Sequence, residues 1–240
     1  MGELDGSINV TNNITYLDMM QLSDSFFPTG LFATSSGLES LFLEKKITDV
    51  KGLTEFNKIC LEQQIGPCDC IILSNVTDMC KSENHSEIKY ADSLCGAMKS
   101  VKESREASFR SGIQLARCVK EFQKNNDTLN WYWGEIQDGN MTGTYPVSFA
   151  VCCSALDIEI EKSLLMFLYG FVASTAGAAL RLGMIQHFES QKMIHELKPL
   201  MVKIAHNSIA KSLDDIWQFS PQIEINQMHH EEMDSRMFIT

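Results

Sequence analysis

The chain has 240 residues, a formal net charge of -11, 44% hydrophobic and 21% charged residues. Such a balance describes an ordinary globular protein with room for a sizeable core. It argues against a nucleic-acid backbone or an anionic membrane surface as the main partner, because both attract clustered Lys and Arg; a neutral or basic protein partner fits better.

Residues 1–13 carry neither a basic n-region nor an apolar h-region and read as a flexible N-terminal segment without a secretory signal, so a cytoplasmic location is expected. The stretch Gln21 to Gly30 follows, with Phe26, Phe27, Pro28 and Gly30, and leads into Ser35, Ser36, Gly37, Leu38 and Glu39. Pro28 lacks an N–H and restricts Phe27, while Gly30 tolerates positive φ, so this is a shaped loop between two helices. Its two aromatic rings require burial by the core or by a partner.

Beyond the loop, apolar residues recur at helical spacing and almost nowhere at strand spacing: Leu53, Phe56 and Cys60; Ile72, Val76 and Met79; Ile88, Ala91 and Leu94; Leu129, Tyr132 and Ile136; Leu197, Met201 and Ile204. Gly66-Pro67 is expected to break one helix, with Cys68 or Asp69 starting the next. Polar connections fall at 81–86, 125–128 and 138–144. Residues 163–180 run without a charge, close to the length of a membrane span, but closely bracketing charges and many small residues favour a fully buried central helix. Asp157 is a candidate cap for it and Gly183 a candidate stop. Gly170, Ser174 and Ala178 share one face at a spacing of four, which serves either intrachain packing or a symmetric dimer. Residues 14–218 thus form one all-α domain, a bundle of about ten helices around the apolar helix near 159–182, followed by a tail over 219–240.

Catalytic and metal chemistry find little footing. The eight cysteines form no pair of CxxC knuckles, and no HxxxH, phosphate-binding loop or nucleophile elbow occurs. Cys68 and Cys70 point to different faces of a helix and read as small buried hydrophobes. His229 and His230 with Glu231 and Glu232 are the only dense group of metal-capable side chains, read mainly as a polar turn. Arg105 and Glu106 either solvate a face or, for Arg105, anchor a carboxylate or backbone carbonyl on another helix. Arg181 either caps nearby carbonyls or pairs across an interface. The tail carries Phe219, Ile223, Ile225, Met228, Met237, Phe238 and Ile239 with Arg236 among them, enough apolar surface to dock on the chain itself or on a partner.

Taken together, four blocks resemble the UreF family of urease accessory proteins: the loop and Ser35-x-Gly37-Leu38-Glu39; Ser104-Arg105-Glu106 with Arg110; Tyr145-Pro146-Val147-x-Phe149 with Leu168-Tyr169-Gly170 and Ala179-x-Arg181-Leu182-Gly183; and Pro221 to Glu231 ending in Ser235-Arg236-Met237-Phe238. Departures from the family pattern fall at Ala33, Thr34, Thr144 and Ile239. The resemblance implies an all-helical homodimer that is not an enzyme and holds no cofactor or metal of its own. It implies a bridge between a UreD/UreH-type scaffold and the nickel-carrying GTPase UreG, docked on apo-urease. It places His230, Glu231, Arg236, Met237 and Phe238 in a partner-docking tail. Phe26, Phe27, Pro28, Gly30, Ser35, Gly37, Leu38 and Glu39 then shape a dimer or partner surface, with Arg105, Glu106, Tyr145, Pro146, Gly170, Ser174, Ala178 and Arg181 as structural or interface positions. Two rival expectations are a protein that itself holds nickel through Cys68, Cys70 and His229-His230, and an activator of the GTPase acting on phosphate charge.

Overall fold

In the computed structural model, which describes residues 10–233 and 235–240, eleven α-helices succeed one another. They are α1 (Val10–Ser23), α2 (Leu38–Leu43), α3 (Val50–Cys60), α4 (Ile71–Lys81), α5 (His85–Met98), α6 (Lys102–Phe122), α7 (Asp127–Gln137), α8 (Tyr145–Ala155), α9 (Ile160–Arg181), α10 (His187–Ile209) and α11 (Pro221–Glu231). No strand occurs among the described residues. The expected segment 1–13 lies outside them as far as residue 9, and α1 already begins at Val10.

The short helix α8 is buried almost all round, from Pro146 to Cys153, and packs against α4 and α6. The α6 contact depends on Gly112, where a Cβ would lie 2.1 Å from the Gly143 carbonyl oxygen. The loop before α8 is fixed by Asp92, a buried carboxylate on α5. It accepts from the amides of Thr142 (2.7 Å), Gly143 (3.1 Å) and Thr144 (2.7 Å) and from both threonine hydroxyls. A carboxylate so fully bonded replaces the water it loses on burial.

The longest apolar helix, α9, packs against α10, but only 56% of its most apolar stretch is buried. The expectation of complete burial is therefore corrected: Tyr169 is 40% exposed, and the opposite side, with Leu164, Leu168 and Val172, enters the core. By length and composition α9 could cross a membrane; its inward face instead packs in this core. Its N-cap is Glu159 rather than the expected Asp157, which lies in the left-handed turn before it at φ 54°. Gly183 ends the helix as anticipated, at φ 71°, with the Met184 amide on the Ala179 carbonyl at 2.9 Å.

Gly66-Pro67 does not break the chain into two helices. A π-helical segment, Leu61–Cys70, joins α3 to α4 and takes Pro67 inside it. Widening the turn tolerates the missing N–H. The carbonyl that Pro67 would bond in an α-helix, Gln63, accepts the Phe219 amide at 2.9 Å, and the Pro67 carbonyl accepts the Trp217 amide at 3.1 Å. These two bonds fix the segment that delivers α11 to α2 and α6.

Candidate functional site

The loop after α1 is built from local hydrogen bonds. Asp24 accepts the Phe26 amide through its side chain at 2.8 Å and the Phe27 amide through its carbonyl at 2.9 Å. Gly30 then turns the chain at φ 81°. Phe27 packs on the core, but Phe26 is 92% exposed and Pro28 is exposed too. Among the described residues only one of the two adjacent rings is thus covered. The turn Leu31–Ala33 rests on α9, where Ser174 donates to the Leu31 carbonyl at 2.9 Å and Ala178 is fully buried. Those two small residues serve packing within the chain.

Gly37, at φ 85°, starts α2; a Cβ there would also lie 2.9 Å from Gln227 Cγ on α11. Leu38 enters the core, and Glu39 becomes a buried carboxylate, 4% exposed. Its oxygens face three groups of the C-terminal segment. The Met237 amide donates at 2.8 Å, the Phe238 amide at 3.1 Å, and His230 Nε2 lies at 3.0 Å. The other ring nitrogen of His230 is 2.8 Å from the Glu103 carboxylate on α6, which also pairs with Arg236. Glu231 accepts the Glu103 amide at 2.9 Å, satisfying one donor that the first turn of α6 leaves open. Buried His230 thereby ties α11 to α2 and α6 at once.

Backbone pairing completes the closure. The Ile239 amide donates to the Ala33 carbonyl and the Ser35 amide to the Thr240 carbonyl, both at 2.8 Å. Phe238 is 4% exposed, and the Arg181 guanidinium stands 4.3 Å over its ring. Burial lowers the pKa of that guanidinium, and the aromatic face offers partial compensation. Arg181 also donates to the Gly177 carbonyl at 3.2 Å, the capping alternative read from sequence, and its contact with Phe238 lies within the chain. Met237 and Ile239 point outward, 60% and 49% exposed.

The remaining sequence candidates lie around this closure. Arg105 donates to the carbonyls of Lys99 at 2.8 Å and Ser100 at 3.2 Å, capping the end of α5. Among the described residues Glu106 pairs with Lys102 and Arg110 on its own half-exposed face. Tyr145 stacks on Phe167 with centroids 5.4 Å apart, its amide donates to Ser108 at 3.0 Å, and Pro146 is buried beside it. The nickel-holding set does not assemble: among the described residues no three His, Cys, Asp or Glu side chains form a metal-binding group. Cys68 and Cys70 are fully buried, and burial raises both thiols well above the ordinary range, which disfavours thiolate ligands. His229 lies beside Glu44 at 3.5 Å.

Sequence reasoning missed Glu103 and Asp92. Each is a single acidic residue on a helix whose partners come from distant segments, and neither spacing nor composition marks such a residue. Glu103 had one weak signal, its place directly before Ser104-Arg105-Glu106.

Fold and site define an all-α protein whose signature segment and C-terminal segment close on each other through the buried carboxylate of Glu39. The UreF family model matches residues 47–198. The chain is also 30% identical over 224 residues to a urease accessory protein UreF of Trichodesmium erythraeum (strain IMS101), covering 92% of this chain and 95% of that relative. The chain belongs to the UreF family of urease accessory proteins.

Proposed function

We propose that this protein is a non-catalytic assembly chaperone of nickel urease. It acts in the cytoplasm as a homodimer that bridges a UreD/UreH-type scaffold and the GTPase UreG, so that nickel, the cargo, reaches apo-urease. One observation carries the docking part of this reading. Arg236 and Phe238 hold the tail on the chain while its other side presents Met237 and Ile239, and α11 presents Ile225 and Met228 at 45% and 46% exposure. Exposed Met and Ile set beside the Arg236–Glu103 ion pair and the buried Phe238 ring are the composition of an interface rather than of a solvated terminus. Phe26 adds an exposed aromatic on the signature loop.

The test is association of the purified chain with a UreD-type protein, for wild type and for the double variant Met237→Asp with Ile239→Asp. Loss of association at unchanged melting temperature is expected. Equal association of the variant would remove the tail from the docking surface.

A further inference from the structure

A cavity of about 170 Å³ opens between the start of α6, α9 and the C-terminal segment. Its lining is mixed: Val101, Phe167 and Phe171 are apolar, and Lys99, Asp69 and Tyr145 carry polar groups, with Tyr145 stacked on Phe167. Lys99 and Asp69 form a nearly buried ion pair at 2.8 and 3.1 Å. An ammonium has three hydrogens to donate, and among the described residues Asp69 is its hydrogen-bond partner. The Tyr145 hydroxyl has no partner among the described residues, although its ring is packed between Phe149 and Phe167. The cavity therefore combines apolar walls with hydrogen-bonding groups in the same lining.

Gly170 supplies the second observation. It sits in the interior of α9, where glycine is a poorer helix former than any residue but proline. Nothing lies within 4 Å of the position a Cβ would take, so packing does not demand glycine there. Gly170 does line the cavity, and a longer side chain would extend into free space at its wall. The absence of a side chain keeps the cavity open.

We infer that this cavity receives one aromatic side chain, tyrosine being the best chemical match, from a protein partner. A cavity of about 150 Å³ suffices for a benzene-sized ring. A phenolic hydroxyl would accept from Lys99 and donate to Asp69 or Tyr145. Among the charged lining residues the carboxylates Asp69 and Glu224 outnumber the single cation Lys99, and the whole chain carries a net charge of -11, so the segment bearing the ring is basic. A deep slot for one ring is the form that interface anchors take. The inference rests on the reading that this protein works through protein partners.

The full-length protein is titrated with 4-ethylphenol, a tyrosine side-chain surrogate, and followed by amide chemical shifts. Saturable shifts at Val101, Ser104 and Gly170 are expected for wild type and Gly170→Ala, and their loss for Gly170→Leu, whose melting temperature should not fall below wild type. Absence of binding, or equal binding by Gly170→Leu, overturns the inference. In the second arm, Gly170→Leu is expected to weaken the accessory complex by about tenfold or more. Probe binding with an unaffected complex would assign the cavity to a small molecule and overturn the partner assignment. A wild-type chain that binds the probe but joins no accessory protein would overturn the bridging function and the partner assignment, while the ring-binding slot would stand.

Discussion

The Glu39 carboxylate accepts the Phe238 amide at 3.1 Å although 199 positions separate the two residues. In effect Glu39 does for the tail what a neighbouring backbone carbonyl would do, and it does so with a charge. The same oxygen faces His230, so the tail and α11 are held by one side chain.

Replacing Glu39 with Ala removes the acceptor of the Met237 and Phe238 amides and leaves His230 buried with one carboxylate instead of two. Breaking a buried charge contact of this kind costs about 3–5 kcal/mol. The expected outcome is faster hydrogen exchange at the Met237 and Phe238 amides, by about a hundredfold or more, with the core amides of α8 unchanged.

Phe238→Ala empties the position under Arg181. A loss of about 3 kcal/mol in tail docking is expected, against about 1 kcal/mol for Arg181→Ala, which removes only the cation over the ring. Hydrogen exchange at Ile239 measures both, and the order of the two effects is the check.

Gly112→Ala should damage the fold far from the tail. The new methyl would lie 2.1 Å from the Gly143 oxygen and 2.8 Å from Ser148 Oγ, so α6 and the loop before α8 must separate. Overpacking of this severity costs about 3 kcal/mol or more, seen as a lower melting temperature.

Stability should fall on the alkaline side. Burial pushes the thiols of Cys80, Cys95 and Cys153 from 9.0 up to about 12. Above the unfolded value the unfolded chain releases these protons while the folded chain keeps them, so the folded state binds more protons and loses stability as pH rises. Each such thiol contributes a loss of about 1.4 kcal/mol per pH unit between the two values. Melting temperatures from about pH 8 to about pH 10.5 should decline steeply, and Cys95→Ala should flatten the decline.

Helical class was legible in the sequence because apolar residues repeat at helical spacing and Gly183 marks an end that the structure keeps. The exposed Phe26 was not, since two adjacent rings give no indication of which one meets the core. Gly66-Pro67 misled because its consequence depends on residues 217–219, which return to bond the Pro67 and Gln63 carbonyls. Arg236 and His230 stood out by their place in the family blocks. Glu103, which binds both, did not, because a carboxylate in the first turn of a helix is ordinary wherever the dipole favours it.

The most direct test is to mix the purified chain with a UreD-type scaffold and a UreG-type GTPase and measure the mass of the assembly. One complex containing all three proteins is expected, with UreG retained only when this chain is present. A scaffold and GTPase that assemble equally well without it, or a chain that elutes alone, would contradict the bridging role.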